Sequence, residues 1–216
     1  MSDQHHDLVH ATHTHDGKPI QNDDRPPLEA ETLETAIREL LIEKGVISSD
    51  DIRRAIETMD DRGEALGGKI VARAWVDEDF KQRLLSEGDA AVRDFGIDMR
   101  PTELCVVENT DEVHNMVVCT LCSCYPRPIL GLPPVWYKRR DYRARAVREP
   151  RAILAEFGTM IPERKQVRVH DSNADLRYLV LPQRPAGTDD WSEEQLAELV
   201  TRDSMIGVAD VRGPTD

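Results

Sequence analysis

The stretch Val117-Val118-Cys119-Thr120-Leu121-Cys122-Ser123-Cys124-Tyr125-Pro126 carries three of the chain's four cysteines within six residues. Cysteines this close cannot staple a fold, because the loops they would close cost the unfolded chain almost no entropy. They are well placed to hold one metal ion through several thiolates. Val117 and Val118 read as the end of a buried strand, and Pro126 as the start of a loop. The stretch is expected to be a metal loop hanging from a strand, and the active site of the chain.

Cys119, Cys122 and Cys124 offer three sulfurs, and the backbone nitrogens of Ser123 and Cys124 lie between the last two. With both amides ionised, five donors would surround one ion in fused small rings and leave one octahedral position open. Such donors favour a trivalent, low-spin ion, and the open position is a Lewis-acid site suited to hydration or hydrolysis. Spacing alone leaves two alternatives standing. A structural zinc site wants four side-chain ligands, normally as two spaced pairs. Only Cys105, His114 or His170 is available to complete such a set. Redox-active thiols are the other alternative.

Upstream of the loop, Leu104-Cys105-Val106-Val107 and Met116-Val117-Val118 read as short strands, with Cys105 a strand residue rather than a ligand. Further upstream the period is helical. Leu33, Ile37, Leu40 and Leu41 share one face and Gly45 ends it; a second helix with Ile52, Ala55, Ile56 and Met59 follows a Ser48-Ser49 cap. Gly63 to Gly68 reads as a turn. Helical patterns then cover Ile70 to Trp75, Phe80 to Leu85 and Ala90 to Phe95, with Gly88 and Gly96 as stops. These short helices cannot bury their stripes alone, so they must pack on the C-terminal half or on a second subunit.

Downstream, four prolines between Tyr125 and Pro134 predict a stiff, irregular loop. A helix from about Asp141 to Phe157, interrupted near Pro150, comes next. Two strands (Val167 to Val169, Arg177 to Leu181) and a helix from the Ser192-to-Gln195 capping box to about Arg202 complete the chain. The expected organisation is a disordered His-rich tail over 1–28, a helical arm over 29–100, a metal-binding catalytic α+β domain over 101–210 and a short tail over 211–216.

The chain has 216 residues, with 28 Lys and Arg against 41 Asp and Glu, a net charge of −13. So acidic a surface argues against nucleic acid or anionic membrane as partner. No apolar run approaches the roughly 18–20 residues of a membrane span. No signal-peptide hydrophobic region precedes the His-rich start (His5, His6, His10, His13, His15), and clustered cysteines do not make a secreted disulfide framework. A cytoplasmic location is expected.

Extended to Pro134, the run Cys119-Thr120-Leu121-Cys122-Ser123-Cys124-Tyr125-Pro126-Arg127-Pro128-Ile129-Leu130-Gly131-Leu132-Pro133-Pro134 resembles the α-subunit of nitrile hydratase and its relative, the γ-subunit of thiocyanate hydrolase. Trp136-Tyr137-Lys138, Tyr142-Arg143-Ala144-Arg145, Val147 to Arg151, Leu181 to Asp189 and Arg202 to Val208 continue the similarity, which runs from about Ala30 to Val208. The resemblance implies a four-layered α+β fold whose helical N-terminal arm wraps a partner subunit. It implies non-corrin cobalt(III), or alternatively iron(III), on the three sulfurs and the amides of Ser123 and Cys124. Thr120 matches the cobalt type. Cys122 would be oxidised to sulfinic acid and Cys124 to sulfenic acid, with Cys119 left as thiolate. Arginines from a β-type partner would hold their oxygens, and a metallochaperone would load the cobalt.

The implied reaction is hydration of a small-molecule nitrile to an amide. Polarisation of the nitrile by the metal, or attack by the Cys124 sulfenate oxygen, would drive it, and Ser123 would orient sulfenate or substrate. Tyr125 and Arg127 would line the substrate pocket. Arg127 departs from the Trp of most nitrile hydratases and matches the thiocyanate hydrolase wording, where a cation suits an anionic substrate. A three-subunit nitrile hydratase of the toyocamycin type also resembles this intermediate pattern. Thiocyanate hydrolysis is the alternative activity, and a non-catalytic zinc protein the alternative of another class.

Overall fold

The computed structural model describes residues 28–60 and 62–214, so the His-rich segment lies outside the described residues. Helices α1 (Leu28–Glu43) and α2 (Ser49–Asp60) come first. The expected cap of α2 is present: Ser48 Oγ accepts the Asp51 N–H at 3.1 Å, and the Asp51 carboxylate takes the Ser48 N–H at 2.8 Å. Such reciprocal capping satisfies two donors that a helix start leaves open. Leu33, Ile37 and Leu40 of α1 and Ile56 of α2 remain largely exposed. Leu41 and Ile52 of the same stripes are half-buried, so the stripes are only partly covered among the described residues.

The next helices behave differently. α3 (Glu64–Val76), α4 (Glu78–Ser86) and α5 (Gly88–Val92) send Ile70, Val71, Ala74, Phe80, Leu84, Ala91 and Val92 into the main core, against the C-terminal half. The expected Gly63-to-Gly68 turn is corrected here, because α3 runs through Gly67 and Gly68. A methyl at Gly67 would sit 2.5 Å from the Met205 sulfur, and one at Gly68 2.6 Å from the Ala197 carbonyl oxygen. These glycines serve close helix packing rather than a bend. Gly88 likewise opens α5 instead of ending a helix, pressed against the Leu104 carbonyl. Gly96, in the left-handed region at φ 73°, does end the short 3-10 turn Arg93–Phe95.

Four strands carry the loop. β1 (Glu103–Glu108) pairs in parallel with β4 (Leu176–Leu181), and β2 (Val113–Val118) pairs in parallel with β3 (Gln166–Asp171). Leu104, Val106, Met116, Val117, Val118, Leu179, Val180 and Leu181 bury the inward faces. A polar knot joins the ladders: Asn115 N–H donates to Asn109 Oδ1 at 2.7 Å, its amide donates to the Glu108 carbonyl at 2.6 Å, and His170 Nε2 meets its Oδ1 at 2.8 Å.

Between β2 and β3 the proline-rich segment is not wholly irregular. It forms single-turn helices α6 (Arg127–Leu130) and α7 (Val135–Lys138). Pro128 falls in the first turn of α6, where no N–H partner is needed, so proline there starts a helix instead of breaking it. α8 (Arg140–Ala146) and α9 (Pro150–Glu156) follow with the expected interruption at Pro150. The C-terminal helix departs from expectation. α10 (Glu193–Leu199) stops early because Thr201 caps a new helix, α11 (Arg202–Ile206), by accepting the Ser204 N–H at 3.2 Å. Among the described residues no helix is long and apolar enough to cross a membrane.

Candidate metal centre

β2 ends at Val118, and the chain leaves the sheet through Cys119, which is fully buried. The loop then doubles back. Cys119 Sγ lies 3.5 Å from Cys122 Sγ, and Cys122 Sγ lies 3.3 Å from Cys124 Sγ. All three sulfurs fall within 4.8 Å of one another. The Cys122 N–H points at Cys119 Sγ at 3.2 Å, which keeps the turn tight. Cys122 is exposed and Cys124 half-buried, so the three sulfurs open toward the surface.

Crowding drives the acidities of Cys122 and Cys124 apart. Burial, then hydrogen bonds from Cys122 and Cys119, push the Cys124 thiol up to about 12, against the pull of Arg177. Bonds from Cys124 and Cys119 draw Cys122 down. Neighbouring sulfurs thus work against one another's ionisation, and a cation in their midst would favour the ionised form of each. The donor set therefore fits a single thiophilic ion.

Parts distant in sequence hold this loop. The β2–β3 register sets Val118 opposite Asp171. Asp171 thereby reaches Thr120, taking its N–H at 2.9 Å and its hydroxyl at 2.6 Å. From α8, the Arg143 guanidinium donates to the Thr120 carbonyl at 3.3 Å, and the Tyr142 hydroxyl donates to the Val117 carbonyl at 2.7 Å. The Tyr137 hydroxyl donates to the Cys124 carbonyl at 2.8 Å. Trp136, Tyr137, Tyr142 and Phe157 pack edge-on beneath, with the Trp136 and Phe157 ring centres 4.6 Å apart. Edge-to-face rings form a stiff floor that positions both hydroxyls.

Of the residues singled out in sequence, the structure brings Cys119, Cys122 and Cys124 together, with Ser123, half-buried, between the last two. The candidates for a fourth zinc ligand do not join them. Cys105 sits in β1, His114 points Nε2 at the Gly207 carbonyl at 2.8 Å, and His170 is engaged by Asn115. Tyr125 and Arg127, read as one pocket, meet different surroundings. Arg127 is exposed, whereas Tyr125 is 2% exposed, edge-on to Tyr137 at 5.2 Å, with its hydroxyl unpaired. Asp171, Tyr137, Tyr142 and Arg143 were not singled out as site residues. The family-like runs contained the last three, while Asp171 lay just past a strand with nothing local to mark it.

A cysteine trio on the loop leaving a buried parallel strand, in a mixed α+β body with a helical N-terminal region, defines a metal-binding subunit class. The sequence profile described as "Nitrile hydratase, alpha chain" matches residues 28–209, and the chain belongs to that family. It is 58% identical over 176 residues, 81% of this chain and 85% of its relative, to the alpha subunit of the low-molecular-weight cobalt-containing nitrile hydratase of Rhodococcus rhodochrous. It is 46% identical over 191 residues, 83% and 79% of the two chains, to the thiocyanate hydrolase gamma subunit of Thiobacillus thioparus. A solved recombinant thiocyanate hydrolase with partially modified cobalt centres superposes with a TM-score of 0.81 at 43% identity, covering 88% of this chain and 93% of that one.

Proposed function

We propose that this chain is the catalytic, cobalt-binding subunit of a nitrile hydratase, active in complex with a β-type subunit and loaded by a metallochaperone. The observation that carries the reading is the convergence of the Cys119, Cys122 and Cys124 sulfurs within 4.8 Å on one loop. Thr120 at the second position, and the cobalt-containing relative at 58% identity, favour cobalt over iron. A tetrahedral zinc site would need a fourth side chain, and none among the described residues joins the trio.

In this reading Cys119, Cys122, Cys124 and the backbone nitrogens of Ser123 and Cys124 hold the ion, which supplies a Lewis acid. Cys122 and Cys124 carry oxygens that arginines of the β-type subunit hold. Ser123 orients the Cys124 oxygen or the substrate through its hydroxyl. The net reaction adds water across the carbon–nitrogen triple bond. A C–O bond forms and both water protons end on nitrogen or are replaced there from solvent. Arg127, exposed where the loop enters α6, stands at the rim and selects substrates for polarity.

That exposed arginine also sustains a second reading, in which thiocyanate is the substrate and Arg127 its anion anchor. The complex purified with cobalt, offered nitriles and thiocyanate separately, distinguishes them. Amide from a nitrile without ammonia from thiocyanate is the expected result. Ammonia from thiocyanate with little amide would move the assignment to thiocyanate hydrolase.

A further inference from the structure

We propose that Arg143 is a positioning residue of the metal loop. Its guanidinium holds the loop by the Thr120 carbonyl and supplies, from within this chain, positive charge that the loaded cysteine set requires. The proposal rests on the reading of the loop as a metal site.

Every polar group of Thr120 is held by another element. Asp171 takes its N–H and hydroxyl, and Arg143 takes its carbonyl. The anchorage of Arg143 is itself firm, since the adjoining Tyr142 fastens α8 to the end of β2 through the Val117 carbonyl. Arg143 also carries an unspent donor: its Nε is buried and has no hydrogen-bond partner. Leaving a buried donor unpaired is unfavourable, so its presence beside the loop points to an acceptor that belongs to the loaded site. The charge argument agrees. Three thiolates and two ionised amides outweigh a trivalent ion, so the loaded set is net anionic, and a half-buried cation beside it is favoured. Arg177, whose charge also bears on Cys124, donates to the Asn173 and Leu176 carbonyls through a single guanidinium nitrogen.

The test uses the complex of this chain with its β-type subunit, produced with cobalt, and three variants: Arg143→Gln, Arg143→Lys and the exposed control Arg148→Gln. Cobalt per complex after dialysis against a chelator, and the position of the visible charge-transfer band, are the readouts. Arg143→Gln is expected to retain cobalt about 10-fold less well, the loss typical when a group supporting a metal ligand is removed. Its band should shift, Arg143→Lys should recover part of both, and Arg148→Gln should match the parent. Parent-like retention and an unshifted band in Arg143→Gln would overturn the proposal. If Arg143→Gln does not assemble, Arg143→Lys decides: intermediate retention supports the role, and parent-like retention overturns it. A parent complex that takes up no cobalt overturns the metal-site reading and this proposal together, whereas a loaded parent with an indifferent Arg143→Gln removes only the role of Arg143.

Discussion

Asp171 receives both the backbone N–H and the hydroxyl of Thr120, at 2.9 and 2.6 Å, across 51 residues of sequence. The pair exists because the parallel register sets Asp171 opposite Val118, two residues before Thr120. The first turn of the metal loop is thus fixed by the neighbouring strand before any ion is considered. Asp171→Asn leaves one acceptor for two donors and puts an amide against the other. Hydrogen bonds to charged groups contribute about 1.5–3 kcal/mol, and exposure of Asp171 brings the expected cost toward about 1 kcal/mol. Thr120→Val should reproduce most of the effect and Thr120→Ser little of it. Thermal melting and cobalt content check this, and Asp171→Asn melting like the parent would show that the carboxylate does not hold the loop.

The cysteines divide into two kinds. Cys119→Ala, Cys122→Ala or Cys124→Ala each removes one of three converging sulfurs and should abolish cobalt retention and activity. Cys105→Ser, in β1 and outside the trio, should retain cobalt and alter only stability. Burial raises the Cys105 thiol, which keeps it protonated and a poor ligand. Metal analysis of the four purified complexes gives the answer, and full activity in the Cys122→Ala complex would refute the site assignment.

The loop and its strand were legible because their signals are local. Three cysteines in six residues, β-branched residues before them and prolines after them are visible without a fold. Gly45, Gly96 and the Ser192–Gln195 capping box were legible for the same reason, each acting within one turn. Gly67 and Gly68 were misread because glycine has two uses. A bend announces itself locally, but close approach to Met205 and the Ala197 carbonyl depends on α10 and α11, well over a hundred residues away. The roles of Asp171, Tyr137, Tyr142 and Arg143 were hidden likewise, since each is defined by its partner on the loop. Early termination of α10 was concealed by Thr201, which looks like an ordinary helix residue until its hydroxyl is seen capping α11.

Gly207 and Gly45 separate two costs of replacing glycine. Both have positive φ, 83° and 66°. A methyl at Gly45 meets nothing within 4 Å, whereas one at Gly207 would lie 2.0 Å from the Asn115 carbonyl oxygen. Gly45→Ala should therefore cost only the left-handed conformation, about 1–2 kcal/mol. Gly207→Ala adds a clash with β2 backbone that cannot yield cheaply, and should cost at least about 1–3 kcal/mol more. Denaturant melts of the two variants, compared at equal slope, measure the difference.

The exposed stripe of α1 gives the arm a testable purpose. Leu33, Ile37 and Leu40 lie outside the core that α3–α5 share with the C-terminal half. Replacing all three by Glu removes little buried surface from this chain, so its own melting should barely change. Association with the β-type subunit should weaken, because each apolar side chain buried at an interface is worth about 1.5–3 kcal/mol. Size-exclusion of the variant with its partner reads the outcome, and unimpaired assembly would mean that the stripe is not part of the interface.

His114 predicts a pH dependence of stability that is independent of the metal loop. It is fully buried in β2, with Nε2 2.8 Å from the Gly207 carbonyl, so Nε2 carries the proton and donates. Nδ1 has no hydrogen bond and lies 3.7 Å from an Asp210 oxygen. Burial lowers its pKa from 6.5, helped by the charges of Lys165 and Arg151 and opposed by the Gly207 bond and Asp210. The unfolded chain therefore takes up this proton at a higher pH than the folded one. Stability from His114 is complete above 6.5 and is lost as pH falls toward the lowered folded value. His114→Gln keeps a donor within reach of Gly207 but cannot titrate. Carboxylates affect parent and variant alike, so the fall in melting temperature between about pH 8 and about pH 5 should be smaller in the variant. Equal falls in both proteins would show that His114 is not the group whose protonation is coupled to unfolding.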